Sequence, residues 1–169
     1  PSFPTRRSSD LTEGITYDNP LLKSQYDGAK AAGLKIGFYH LLRANDPTLE
    51  AKHFLSVING LLADCKDVID VESISGGTIT QTSSNVRLFA DYLILNGKEI
   101  CIYTNDYFYA NNLNNSIKNI PLWVAHYGVA KPDAINYIGL QYTDAGSVDG
   151  INGPVDLSEF KSEIGRAHV

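Results

Sequence analysis

The chain has 169 residues, 43% of them apolar and 20% charged, a balance that fits one globular domain with a real core and excludes a disordered chain or two ordinary domains. A formal charge of −5 leaves no basic face to neutralise phosphates, which argues against nucleic acid as a partner. No run approaches the ~20 apolar residues needed to span a bilayer, so membrane insertion is not expected.

The two ends read differently from the rest. Pro1 to Leu11 (PSFPTRRSSDL) and Glu163 to Val169 (EIGRAHV) resemble translated sequencing-adapter strings and are set aside as non-native, leaving residues 12–162 as the domain. Thr12 is then the first native residue, the natural N-terminus is expected upstream, and Asp10 and His168 drop out as site candidates. The N-terminus carries no apolar core of a signal peptide, so no export route is legible.

In chain order, Asn19-Pro20 starts a helix, with Asn as cap and Pro in the first turn, where its missing N–H costs nothing. Leu22, Tyr26 and Ala29 follow at helical spacing and Gly33 closes it. Lys35 to Leu42 (KIGFYHLL) reads as a buried strand. Asp46-Pro47 repeats the start signal for a second helix carrying Ala51, Phe54, Leu55 and Ile58. Asp67 to Glu72 (DVIDVE) is the next strand; after the Gly76-Gly77 loop, Val86, Phe89 and Leu93 mark a third helix ending near Gly97, and Glu99 to Asn105 (EICIYTN) is a third strand.

This alternation predicts βαβ units and a parallel sheet. The last third reads as three strands, Pro121 to Tyr127, Tyr137 to Tyr142 and Gly153 to Phe160, joined by loops too short for full helices. The expected architecture is an irregular α/β barrel whose later strands lack covering helices. Cys65 and Cys101 lack metal-ligand spacing and are expected as buried free thiols.

Asp70 and Glu72 lie two apart on a strand, so both project from one face. Their Cα atoms are then roughly 6.6 Å apart at ~3.3 Å rise per residue, which lets the carboxyls approach the ~5–5.5 Å of retaining glycosidases. Neighbouring carboxylates raise one another's proton affinity, which favours keeping one as an acid. On a parallel barrel the C-terminal ends of the strands face the active site, and this pair sits at such an end. Flat aromatic faces stack on pyranose rings, so Tyr39, Tyr103, Trp123, Tyr127 and Tyr142 are candidate sugar contacts. His40 and His126 are isolated histidines, expected as satisfied barrel residues rather than a metal pair; no metal and no cofactor are expected.

Seven strings occur together in order: Thr12-Glu13-Gly14 with Tyr17-Asp18, Gly37-Phe38-Tyr39-His40, Asp70-Val71-Glu72, Tyr103-Thr104-Asn105, Leu122-Trp123-Val124-Ala125, Gln141-Tyr142 and Val155-Asp156-Leu157. In that order they resemble the lysozymes of glycoside hydrolase family 25, over Thr12 to about Phe160. The resemblance implies a (β/α)5(β)3 TIM-like barrel and hydrolysis of the β-1,4 bond between N-acetylmuramic acid and N-acetylglucosamine in bacterial peptidoglycan. It makes Glu72 the general acid, Asp70 the carboxylate that stabilises the oxocarbenium-like transition state or orients the acetamido group, and Asp156 the acidic residue of the last strand. Covalent and substrate-assisted routes both exist among retaining enzymes, and these residues do not choose between them. Tyr39, His40, Tyr103, Trp123, Tyr127, Gln141 and Tyr142 are the implied substrate contacts. A monomer acting at the cell wall, outside the cell or as a lysis protein, is the implied setting.

The sequence departs from the family at its start, where a strand carrying a D-V-S-like aspartate has no match. The expectation is therefore a barrel lacking its first strand and most of the second, with impaired catalysis. Two rival readings follow: a module that binds wall glycan without cleaving it, and a chitinase-like barrel. The latter predicts a longer acidic string before Glu72, where Cys65, Lys66, Val68 and Ile69 stand instead.

Overall fold

A computed structural model describes residues 11–161, with side chains, and residues 2–5 as backbone. The adapter-like C-terminal segment lies outside the described residues. The strands are β1 (Ser2–Thr5), β2 (Thr12–Glu13), β3 (Tyr17–Asp18), β4 (Tyr39–Leu41), β5 (Asp67–Asp70), β6 (Ile100–Asn105), β7 (Leu122–Ala125), β8 (Tyr137–Gly146) and β9 (Val155–Phe160). The helices are α1 (Leu22–Ala31), α2 (Pro47–Val57), α3 (Ile79–Leu95) and α4 (Asp106–Asn112), with a 3-10 turn at Asn115–Ile117.

All nine strands join one sheet in the order β1-β9-β8-β7-β6-β5-β4-β2-β3. From β2 through β4, β5, β6 and β7 to β8 every pairing is parallel; β9 returns antiparallel to β8, and the short β2–β3 pair is a hairpin. The α/β alternation and the helix-poor last third are those read from the sequence, and the open sheet fits an irregular barrel of the (β/α)5(β)3 type.

The set-aside N-terminal segment is not idle: β1 pairs antiparallel with β9, setting Thr5 opposite Asp156. Leu11 is buried, and its carbonyl accepts from the Asn19 N–H at 2.9 Å.

Period-two alternation sorts each central strand into two faces. Ile69 and Val71, Ile100 and Ile102, and Leu122 and Val124 join the large core, which Phe54 of α2 and Phe89 and Leu93 of α3 close from the helix side. Val68, Cys101, Tyr103 and Trp123 pack together on the opposite, inner face. Helices α2 and α3 start where the sequence provides caps: Asp46 accepts from the Thr48 and Leu49 N–H groups, and Thr78 from that of Gln81. The start expected at Asn19-Pro20 is corrected: α1 begins at Leu22 with Leu21 at its cap position and no side-chain cap, because Asn19 Oδ1 accepts from the Leu21 N–H in the turn ahead of the helix.

Three further elements differ from the sequence reading. Strand pairing within Lys35–Leu42 covers only Tyr39–Leu41, which pairs with Val68–Asp70 of β5 on one side and, over its last two residues, with β2 on the other. Upstream, contact is backbone-close: a Cβ on Gly37 would lie 2.9 Å from the Lys66 carbonyl. The helix α4 was not anticipated; Asn105 caps it by accepting from the Tyr107 and Phe108 N–H groups. The β2–β3 hairpin turns through Gly14 at φ +56°, a conformation that favours glycine.

Candidate active site

The parallel strands bring their C-terminal ends to one mouth. Asp70, the last residue of β5, is paired in register with Tyr103 of β6 on one side and Leu41 of β4 on the other. The ladder runs one step further, with the Val71 N–H donating to the Tyr103 carbonyl at 2.9 Å, so Glu72 stands just past the strand. It is exposed there, while Asp70 is buried. Asp156 enters from β9 and is also buried. Ser158, two residues on and therefore on the same strand face, accepts from Trp123 Nε1 at 3.2 Å, which aims that face inward.

Tyr103, paired in register with Asp70, feels the charge of all three carboxyls. Burial pushes its hydroxyl well above the ordinary tyrosine range, and Tyr127, Asp70, Glu72 and Asp156 push it further in the same direction through their charge. Three carboxyl groups from β5, its end and β9 thus act on one phenol through their charge. The Tyr103 hydroxyl donates to Gln141 Oε1 at 2.8 Å, and the Tyr127 hydroxyl donates to the same oxygen at 2.9 Å. Gln141 of β8 is itself buried. Trp123 packs edge-on against Tyr103, with ring centroids 4.9 Å apart, and against Phe160 at 5.1 Å.

Of the residues expected at the site, Asp70, Glu72, Asp156, Tyr103, Trp123, Tyr127 and Gln141 fall in this cluster. Tyr39 lies between it and the main core, packing against both. Tyr142 packs against the helix-side core. His40 corrects the expectation of a substrate contact. It is 0% exposed, stacks on Phe89 at 4.9 Å and contacts Phe54 on the helix side of the sheet. Both its ring nitrogens are occupied, Nε2 by Glu50 Oε2 at 2.9 Å and Nδ1 by the Thr12 hydroxyl at 2.7 Å. No face of the ring is left for a glycan.

Sequence reasoning missed the role of Glu50. This wholly buried carboxylate accepts from His40 and from the Arg43 and Asn45 N–H groups, and so holds the loop after β4 beside the mouth. Local pattern alone does not single it out, since an acidic residue in the first turn of a helix is ordinarily a solvated partner of the helix dipole. The sequence also gave no hint that His126 has company. His126 Nδ1 lies 2.8 Å from Asp106 Oδ2, and Asp133 is beside them.

The model for glycosyl hydrolases family 25 matches residues 8–151. The chain is 58% identical over 154 residues to an autolytic lysozyme of Clostridium acetobutylicum, covering 90% of this chain and 48% of that protein. It is 28% identical to lysozyme M1 of Streptomyces globisporus, over 92% of this chain and 59% of that one. Among solved structures, the CTP1L endolysin superposes with a TM-score of 0.79 at 31% identity, covering 90% of this chain and 56% of the other. A bacterial lysozyme from Streptomyces coelicolor superposes at 0.75 and 27% identity, with 90% and 79% covered. The chain spans about half the length of the autolytic lysozyme. With a family match over most of its length and its carboxylates gathered at the strand ends, this chain belongs to glycosyl hydrolases family 25.

Proposed function

We propose that this chain is the catalytic part of a peptidoglycan muramidase, cleaving the β-1,4 bond between N-acetylmuramic acid and N-acetylglucosamine. The observation that carries the reading is the register that sets Asp70 opposite Tyr103 in the β5–β6 ladder with Glu72 just past the strand, at the strand ends where a parallel barrel does its chemistry. The 58% identity to an autolytic lysozyme supports the same substrate.

In this reading Glu72, exposed at the mouth, protonates the leaving glycosidic oxygen. Asp70, buried and two residues before it, stabilises positive charge as it develops at the anomeric carbon, and Asp156 bounds the site from the opposite strand. Tyr103, Trp123, Tyr127 and Gln141 form the wall against which sugar rings stack, with Tyr39 below. Peptidoglycan outside the cytoplasm is the partner, and the chain works as a monomer. The acidic charge supports a partner other than nucleic acid, and no helix among the described residues is long and apolar enough to cross a membrane.

The test is release of new reducing ends from purified peptidoglycan, with the terminal sugar identified. Muramic acid ends produced by this chain and absent with Glu72→Gln are expected. Glucosamine ends, or equal release by the variant, would refute the assignment; wall binding without release would favour a glycan-binding module.

A further inference from the structure

Away from the carboxylate cluster, three residues from separate segments meet on the rim. Asp106 opens α4, His126 follows the last residue of β7, and Asp133 lies in the connection to β8. One donor atom from each, a carboxylate oxygen from either aspartate and a ring nitrogen of the histidine, lies within 4.8 Å of the others. The same three residues line a pocket of about 330 Å³, together with Asn105, Tyr107 and Asn111. Among the described residues no lysine or arginine lines it, and the basic side chain against its carboxylates is His126 itself.

The set is graded from a fixed base to an open mouth. Asp106 is buried; its Oδ2 accepts from the Asp133 N–H at 2.6 Å and its Oδ1 from the Ala134 N–H at 3.2 Å. These bonds hold the carboxylate in place and bring Asp133 alongside it. The contact of Asp106 Oδ2 with His126 Nδ1 at 2.8 Å orients the imidazole. His126 is partly exposed and Asp133 fully so, which leaves a path from solvent.

We propose that Asp106, His126 and Asp133 bind a divalent transition-metal ion of the zinc class. An imidazole nitrogen with two carboxylates is a donor set that zinc-class ions accept, whereas magnesium and calcium take oxygen ligands. Bonds of about 2.0–2.2 Å place the donors around a tetrahedral ion roughly 3.4 Å apart, so donors already gathered this closely close on an ion by small side-chain rotations. The pocket leaves room for water at the remaining positions. An ammonium group would use the carboxylates alone and leave the oriented imidazole without a part. The expectation of no metal weighed His126 against His40; the fold instead supplies His126 with two aspartates.

A bound ion ties the start of α4 to the end of β7 and to the β7–β8 connection. Tyr127, next to His126, carries its hydroxyl to Gln141, so the tie reaches the aromatic wall within one residue. The inference does not rest on the muramidase reading.

The test is calorimetric titration of the chelator-stripped full chain with zinc chloride, and in parallel with magnesium chloride. One Zn2+ per chain is expected, bound at least tenfold more weakly by His126→Ala and by Asp133→Asn, unchanged by Glu72→Gln and not displaced by Mg2+. Asp106 is left intact because it braces two backbone N–H groups, and circular dichroism confirms that each variant folds. In the unaltered chain, nitrogen NMR of the His126 ring should shift on Zn2+ addition, a readout that needs no variant. Absence of Zn2+ binding, binding that survives both substitutions, binding lost only in Glu72→Gln, or an unmoved His126 resonance would each overturn the proposal.

Discussion

Asp70 stands directly opposite Tyr103 in the parallel ladder between β5 and β6. The register sets a buried carboxylate beside a phenol whose own proton is committed to Gln141, and it leaves Glu72, one step past the strand, as the exposed acid of the group. Glu72→Gln keeps the shape and removes the transferable proton. Reducing-end release should fall by about 10²–10⁴-fold, the usual contribution of a general acid, with the circular dichroism spectrum unchanged.

Trp123 is the only tryptophan of the chain, so its emission reports on the cleft alone. It sits between Tyr103 and Phe160 and is anchored through Nε1 on Ser158. Saturation with a soluble peptidoglycan fragment should shield it from acrylamide quenching. Trp123→Phe should lower kcat/KM by roughly tenfold, as expected for about 1.4 kcal/mol of lost stacking and hydrogen bonding. Quenching that is unaffected by fragment would place the glycan elsewhere.

The Glu50 network predicts acid sensitivity. Burial by itself would raise this carboxyl, but the hydrogen bond with His40, the Arg43 N–H, the charge of His40 and the Asn45 N–H together outweigh it and hold the group below its ordinary 4.5. Above that pH the group is ionised in both folded and unfolded chains and its stabilisation is complete. As pH falls below it the unfolded chain takes up the proton first, and stability declines until the folded carboxyl protonates too. Glu50→Ala, which strands His40 and two backbone donors, should cost about 3 kcal/mol in urea denaturation and flatten the acid limb.

Alkaline behaviour follows from Cys101. Burial pushes its thiol up from 9.0 to about 12, with Lys66 opposing and Asp67 and Cys65 adding to the rise. Below about pH 9 the thiol is protonated in both states. Above it the unfolded chain releases a proton that the folded chain retains until about pH 12, so stability should fall as pH rises through this window. Cys101→Ser should not remove this dependence entirely, since Tyr103 is shifted in the same direction. At pH 8.5 iodoacetamide should label the partly exposed Cys65 and spare Cys101, as peptide mapping would show.

The fold was legible where local and tertiary signals agree. Asp46-Pro47 starts α2 where the sequence says, because a capping carboxylate and a proline need no distant partner. The alternation of Val68 and Asp70 against Ile69 and Val71 likewise names the two faces of β5 before any neighbour is known. His40 shows the limit. Its string pointed to the site, yet which face of β4 it occupies depends on Thr12, Glu50 and Phe89, whose approach is a property of the packed sheet. The same holds for Asp106, His126 and Asp133, separated by twenty and seven positions with no periodicity to connect them. Gln141 was found through a string and not through its geometry; nothing local says that one amide oxygen would receive protons from two tyrosines.

That shared oxygen couples parts of the cleft that the chain builds separately. Tyr103 comes from β6, Tyr127 from beyond β7 and their acceptor from β8, so three staves of the barrel are laced at a single atom. The two aromatic platforms therefore cannot drift independently: a change at position 141 is felt at both. Relatives that replace Gln141 should alter Tyr103 and Tyr127 in concert, and those that keep it should tolerate variation around the cleft without losing the spacing of its stacking surfaces.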